Sequence, residues 1–480
     1  MPALAQHAET KVTPKPAAAA GQAPGLPADS TTQQTVDLPG RRLDFTAVAG
    51  SLPLSSAAGV PQAEIAYTAY LLDVAEVTQR PVTFVVNGGP GASSAWLQFG
   101  AAGPWRLPLE GAGASLSAPP ALQPNAETWL DFTDLVFIDP VGTGYSGFLA
   151  EGEELRRRYW SVEGDIASLA EVIRRWLVAQ GRLQSPKFLL GESYGGFRGP
   201  LLARALQADQ GIGLRGLVLV SPALDLSGRD DTFAPLRWVG RLPSMAAVHR
   251  AASGPVDRQS LADVERYAAG DFLLDLVRGE RDGAPTRLTE RVAALTGLDP
   301  ELVRRRRGRI GLSEFLRGAG PDQRIASAYD ATVTMPDPFP ADDARVPDPV
   351  LDALVPPLTS AVLALYGQRL GWRLPDRRYH LLNQAVFHQW QWGRGDRPPE
   401  AMTDLRTALA LDPALRVVIV HGLYDLVTPY FASAILLDQI PIGAGGDRVS
   451  LLTLAGGHMF YTATKSRQQL REVSRTLIGR

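Results

Sequence analysis

Lys187-Phe188-Leu189-Leu190-Gly191-Glu192-Ser193-Tyr194-Gly195-Gly196-Phe197 decides how the rest of the chain is read. Phe188 to Leu190 form a short apolar run, as expected of a buried strand, and Gly191 ends it. Pro200-Leu201-Leu202-Ala203-Arg204-Ala205-Leu206 then reads as a helix. A serine between small residues two before and two after it, with a strand in front and a helix behind, is the pattern of a nucleophile elbow. Glycines allow strand and helix to pass closely, so the serine sits on a strained turn with its hydroxyl near free helix N–H groups. The plainer alternative is a strand-to-helix turn with an ordinary N-capping serine.

Similar strands lie on either side. Leu43–Val48 and Ile65–Leu72 alternate, with a Gly/Ser/Pro-rich loop between them that suits a hairpin. Denser apolar runs at Pro81–Val86, Asp134–Asp139, Leu217–Pro222, Leu415–Val420 and Val449–Leu454 predict parallel strands covered on both faces. A helical period runs through Ile166, Leu169, Val172, Ile173 and Trp176, and another closes the chain at Leu470, Val473 and Leu477. Strands alternating with helices imply a mostly parallel α/β sheet with right-handed crossovers.

The expected organisation has four parts. Residues 1–36, rich in Ala, Pro, Gln and Thr, read as a disordered tail. Residues 37–223 form the first part of the core and 413–480 the second. Residues 224–412 form a large, mainly helical cap, inserted after about the sixth strand.

With no cysteine, the chain has no disulfide framework, thiolate metal site or cysteine nucleophile. A net charge of −2 supplies no field for nucleic acid or an anionic membrane. No apolar run reaches membrane-spanning length. No metal or cofactor motif is found, so neither is expected. Oligomeric state is not legible. Met1–Thr10 lacks the basic start and apolar block of a secretory signal, which favours the cytoplasm; a processed N-terminus would leave the periplasm or secretion open.

A serine hydroxyl needs a base in reach, and that base an orienting carboxylate. Asp425 follows the strand ending at Val420, and His458 follows the strand ending at Leu454, so the chain order is Ser193, Asp425, His458. Carboxyl ends of parallel strands are where such sheets place their sites. Of the six histidines, His421 is the rival base, while His7, His249, His380 and His388 lie in the tail or the cap. Asp438 and Asp447 compete with Asp425. The developing oxyanion needs N–H donors, for which Tyr194 and a glycine of Gly88-Gly89-Pro90-Gly91, assigned as Gly89, are the candidates.

Four motifs in order resemble the serine carboxypeptidase family, which has an α/β-hydrolase fold. They are Asn87-Gly88-Gly89-Pro90-Gly91-Ala92-Ser93-Ser94, Asp139-Pro140-Val141-Gly142-Thr143-Gly144-Tyr145-Ser146, Gly191-Glu192-Ser193-Tyr194-Gly195-Gly196 and Gly457-His458-Met459. The resemblance implies a serine exopeptidase that removes C-terminal residues from peptides. It also implies that Asn87 and Glu192 read the substrate's terminal carboxylate. A glutamic acid can donate to a carboxylate only when protonated, which burial favours. Typical members have a cysteine where this chain has Ala92, and many carry an acid within the stretch that here reads Phe99-Gly100-Ala101-Ala102-Gly103-Pro104. Other readings of the same triad are an aminopeptidase of the proline iminopeptidase kind, an esterase or an acyltransferase. A binding protein without catalysis is a fourth.

Overall fold

Phe188 and Leu190 enter one apolar layer and Leu189 the opposite one. Val218 and Val220 separate from Leu217 and Leu219 in the same way, as do Val418 and Val420 from Val417 and Ile419. Strands whose two faces are both covered carry no polar alternation, which is why they read as continuous apolar runs. The computed structural model describes residues 25–109, 121–227, 231, 233–320, 323–341, 346–393 and 398–479.

Ten strands form one sheet: β1 (Ser30–Leu38), β2 (Arg41–Ser55), β3 (Pro61–Leu72), β4 (Val82–Val86), β5 (Asp134–Ile138), β6 (Gly147–Phe148), β7 (Lys187–Glu192), β8 (Gly216–Val220), β9 (Arg416–Gly422) and β10 (Val449–Leu454). Their order is β1-β2-β3-β5-β4-β7-β8-β9-β10, and β6 pairs with β3. The pairs from β5 to β10 are parallel; β1, β2, β3 and β6 join antiparallel. This is the expected α/β-hydrolase sheet.

Helices cover both faces. On one, α1 (Val162–Ala179) and α2 (Tyr194–Asp209) share an apolar layer with Leu405 and Leu409. On the other lie Trp96, Leu358 and Tyr366, with Leu470 and Leu477 of the last helix. Between β8 and β9 the chain is mainly helical and includes α3 (Pro235–Ala251) and α4 (Leu351–Ala364); a short hairpin, Arg324–Ala326 with Thr334–Pro336, also occurs there. Trp238, Leu242, Phe272 and Leu288 of this segment pack with Leu423, Leu426 and Tyr430, which follow β9. The cap and the core therefore share a hydrophobic cluster.

Two expectations need correction. Residues 30–36 are not a disordered tail but most of β1, paired along its whole length with β2. An edge strand buries only part of one face, and here only Val36 and Leu38 are buried, so a polar sequence suffices. The rest of the proposed tail up to residue 24 lies outside the described residues. The cap follows the eighth strand rather than the sixth, because β1 and the two-residue β6 had no apolar signature.

One buried ion pair ties the helices to the loop after β4. Arg198 of α2 donates to both carboxylate oxygens of Asp165 of α1, at 2.6 and 3.3 Å, and both side chains are almost fully buried. Arg198 also donates to the Asn87 carbonyl and lies over the Tyr194 ring. Removing one partner of such a pair strands a buried charge. Arg198→Met is expected to lower the unfolding free energy by about 3–5 kcal/mol. The double variant Asp165→Leu/Arg198→Met should lose far less. Urea titration of both measures this, and equal losses would contradict a charge-pairing role.

Candidate active site

Ser193 has φ 60° and ψ −121°, outside the usual basins for a residue with a side chain. Such a conformation costs on the order of 1–3 kcal/mol and persists only where its surroundings fix it. Here the Ser193 N–H donates to the Val220 carbonyl at 2.9 Å, and the Ala223 N–H donates to the Ser193 carbonyl at 3.2 Å. The turn closes because Gly191 has no side chain: a Cβ there would lie 2.2 Å from the Gly195 carbonyl oxygen. Ser193 thus caps β7 and starts α2, leaving the Tyr194 N–H in the first turn, where no intrahelical acceptor exists.

The loop after β4 lies against this turn. A Cβ on Gly88 would come 2.6 Å from the Tyr194 nitrogen and 2.9 Å from the Ser193 Cβ, so only glycine allows the approach. Asn87, Gly88, Gly89, Glu192, Ser193, Tyr194 and His458 all line one cavity of about 1060 Å³. Its walls include Leu316, Tyr329 and Leu351 from the cap as well as Trp96 and Met459 from the core.

Asp425 and His458 meet, and His458 lines the same cavity as Ser193. The His458 Nδ1 lies 2.7 Å from the Asp425 Oδ2, with both residues buried. Asp425 Oδ1 accepts the N–H groups of Val427 and Thr428, at 2.8 and 3.0 Å, which fixes the carboxylate. The backbone of His458 is held at both ends: its N–H donates to the Tyr329 carbonyl, and its carbonyl accepts from the Ser221 hydroxyl at 2.8 Å. Burial disfavours the imidazolium, but the charge and hydrogen bond of Asp425, with help from Glu192, outweigh it and raise the His458 pKa.

The rivals fall elsewhere. His421 is buried, with Nε2 2.9 Å from the Ser433 hydroxyl, and burial pushes its pKa down to about 4 against the opposing charge of Asp425. It is not among the residues lining the cavity. Asp438 and Asp447 are exposed.

Glu192 is buried beside the serine. Its Oε2 accepts from the Asn87 amide at 2.5 Å and from the Tyr461 hydroxyl at 2.8 Å; Oε1 lies 3.0 Å from the same hydroxyl. Burial pushes this carboxyl up to about 7. His458, Tyr461 and Asn87 restrain the rise, while Asp425 adds to it. The Asn87 Oδ1 accepts the Leu97 N–H at 3.1 Å, which orients the amide nitrogen toward Glu192.

Three neighbours had escaped sequence reading. The Thr428 hydroxyl lies 2.7 Å from the Asp425 Oδ2, 3.1 Å from the His458 Nδ1 and 2.9 Å from the Ser221 carbonyl. Its position three residues after Asp425, as in a side-chain-capped turn, was the available signal. Tyr329, from the cap, stands edge-on to the His458 ring at 5.1 Å. Tyr461 belongs to no recognisable motif. Trp392 lines the cavity, and both Trp390 and Trp392 meet the Tyr194 ring edge-on.

Such an arrangement has the parts for acyl transfer: a hydroxyl on a strained turn, a histidine held by a carboxylate, and free N–H groups at a helix start.

Residues 67–258 match the family model described as serine carboxypeptidase. The chain is 27% identical over 162 residues to the pheromone-processing carboxypeptidase KEX1 of Yarrowia lipolytica, covering 33% of this chain and 24% of that protein. It is 26% identical over 229 residues to serine carboxypeptidase-like 36 of Arabidopsis thaliana, covering 46% of this chain and 41% of the relative. The matched stretches thus span less than half the length of these curated relatives. Among solved structures, proline iminopeptidase of Mycobacterium smegmatis aligns over 93% of this chain and 98% of its own at 14% identity, with a TM-score of 0.36. The motifs around Asn87, Asp139 and Ser193 all fall inside the matched residues, and this part of the chain is similar to the serine carboxypeptidase family.

Proposed function

We propose that the protein is a serine-type carboxypeptidase that hydrolyses the C-terminal bond of peptides through an acyl-enzyme on Ser193. The observation that carries the reading is the buried Asn87–Glu192 pair at 2.5 Å, directly beside the serine and on the wall of the same cavity. A group that must read a terminal carboxylate needs donors, and a carboxyl that stays protonated to about pH 7 is one.

In this mechanism His458 takes the Ser193 proton as the oxygen attacks the scissile carbonyl. Asp425 holds the ring and stabilises the imidazolium. The N–H groups of Tyr194 and Gly89 receive the oxyanion. His458 then gives its proton to the leaving amine, and the C-terminal residue departs. Water, deprotonated by His458, attacks the ester carbonyl, and the proton returns to Ser193. Until the C-terminal residue departs, the Asn87 amide and the neutral Glu192 hold its terminal carboxylate, which orients the last peptide bond over the nucleophile.

Two pH effects follow with opposite signs. His458 must be neutral to act as base, and its raised pKa makes activity fall on acidification sooner than for an ordinary histidine. Glu192 must be neutral to donate; above about 7 it becomes a carboxylate that repels the substrate's own.

Ser193→Ala is expected to reduce kcat by several powers of ten and to abolish labelling by a fluorophosphonate; retained turnover would remove Ser193 from the mechanism. For wild type, an N-blocked dipeptide should be cleaved faster than its C-terminal amide below pH 7, with KM for the acid rising as pH passes that value. Glu192→Gln, which keeps a donor at every pH, should flatten that rise. Steady-state kinetics on the matched pair test both points. Equal cleavage of the amide would count against carboxylate recognition, and faster cleavage of a proline arylamide with a free N-terminus would favour the aminopeptidase reading.

A further inference from the structure

We propose that Tyr461 is a specificity-determining positioning residue: its phenol, with Asn87, holds the Glu192 carboxyl in the orientation that reads a substrate's terminal carboxylate. The inference rests on the carboxypeptidase reading and adds to it a residue that no motif announces.

The geometry is closed on all sides. The Tyr461 hydroxyl lies within hydrogen-bond distance of both Glu192 oxygens, and the residue is only 1% exposed. Its ring packs against Gly100, where a Cβ would stand 2.5 Å from the Tyr461 Cε2. The stretch Phe99–Pro104 carries no acid, and the Tyr461 ring fills the space that a side chain at position 100 would need. The backbone of the tyrosine is fixed as well, since Arg467 donates to its carbonyl at 3.0 Å.

The two donors are not equivalent. Asn87 and Tyr461 both point at Oε2, at 2.5 and 2.8 Å, while Oε1 has only the longer contact at 3.0 Å. Oε1 is thus the less engaged oxygen, the one from which a proton can be offered to a ligand. Tyr461 is not among the residues lining the cavity, so it acts through Glu192 rather than on the substrate.

The titratable groups that face Glu192 are His458 and Asp425 of the triad, the Tyr329 phenol from the cap and Tyr461 itself. Burial keeps the Tyr461 phenol protonated, so it remains a donor across the working range. A donor to a carboxyl favours its ionised form. Removing the Tyr461 hydroxyl therefore raises the Glu192 pKa, and the neutral, carboxylate-binding form persists to higher pH.

The test is Tyr461→Phe in the full chain, assayed on an N-blocked dipeptide and on an N-blocked ester without a free carboxylate. For the dipeptide, the rise of KM with pH should move upward by about one pH unit, the size expected for a lost hydrogen bond to a charged group. Its kcat should stay within about threefold, because no group touching the reacting atoms changes. The ester's pH profile and the rate of fluorophosphonate labelling should not move. Gly100→Ala, whose methyl group meets the Tyr461 ring, is the second variant and should shift the dipeptide profile the same way if Tyr461→Phe fails to fold. An unmoved dipeptide profile in a folded variant overturns the proposal, as does an equal shift with the ester, which would place the effect on His458. If wild type itself shows no preference for the free acid over the amide, the carboxypeptidase reading fails first, a result distinguishable from failure of Tyr461 alone.

Discussion

The site depends on the backbone at Ser193 being held where a side chain is unfavourable. Neither the hydroxyl nor the Tyr194 N–H would face the cavity if the turn relaxed to an ordinary helix start. The turn is held by the sheet: Val220 at the end of β8 accepts the Ser193 N–H, and the loop after β8 donates back. The strain, on the order of 1–3 kcal/mol, is therefore borne by parallel pairing in the centre of the molecule. Glycine at 191 and 88 is the steric condition for this, since each position faces backbone at less than 3 Å from any Cβ. Arg198 adds a second constraint, linking the helix behind the serine to the carbonyl of Asn87.

This dependence explains what the sequence revealed and what it concealed. Strands buried on both faces, such as Leu217–Val220 and Val417–Val420, had to be apolar at every position, so their runs were plain. That Asp425 and His458 meet was legible, because chain order and strand ends leave few places for such a carboxylate and histidine. Ser30–Leu38 was not, because an edge strand is held by backbone pairing and needs only Val36 and Leu38 inside. Glu192 was legible only through its motif. Thr428 left a faint trace in its spacing from Asp425. Tyr461 left none: its role depends on a contact 269 residues away in sequence, and local pattern cannot encode that.

Electrostatically the site sets two neighbours against each other. His458 and Glu192 are both buried on the wall of one cavity, and both have raised pKa values for different reasons. For Glu192 burial dominates; for His458 the Asp425 carboxylate overcomes burial. Each moderates the other, because an imidazolium lowers the Glu192 pKa and a glutamate raises that of His458. Under the proposed mechanism, base catalysis at Ser193 requires neutral His458 and carboxylate binding requires neutral Glu192. The donors around Glu192 and the carboxylate behind His458 thus decide how wide the interval of joint neutrality is.

Placement links these two controls mechanically. His458 and Tyr461 stand three residues apart, separated by Met459 of the cavity wall and the buried Phe460. The segment is pinned at its start by Tyr329 and Ser221 and at its end by Arg467. A displacement of this short turn would move the base away from Ser193 and the phenol away from Glu192 together. One pin, the Tyr329 carbonyl, comes from the cap. The cap therefore does more than roof the cavity: its seating on the core bears on both His458 and the Tyr461 contact with Glu192. Any play at Tyr329 would reach both groups through four residues of backbone.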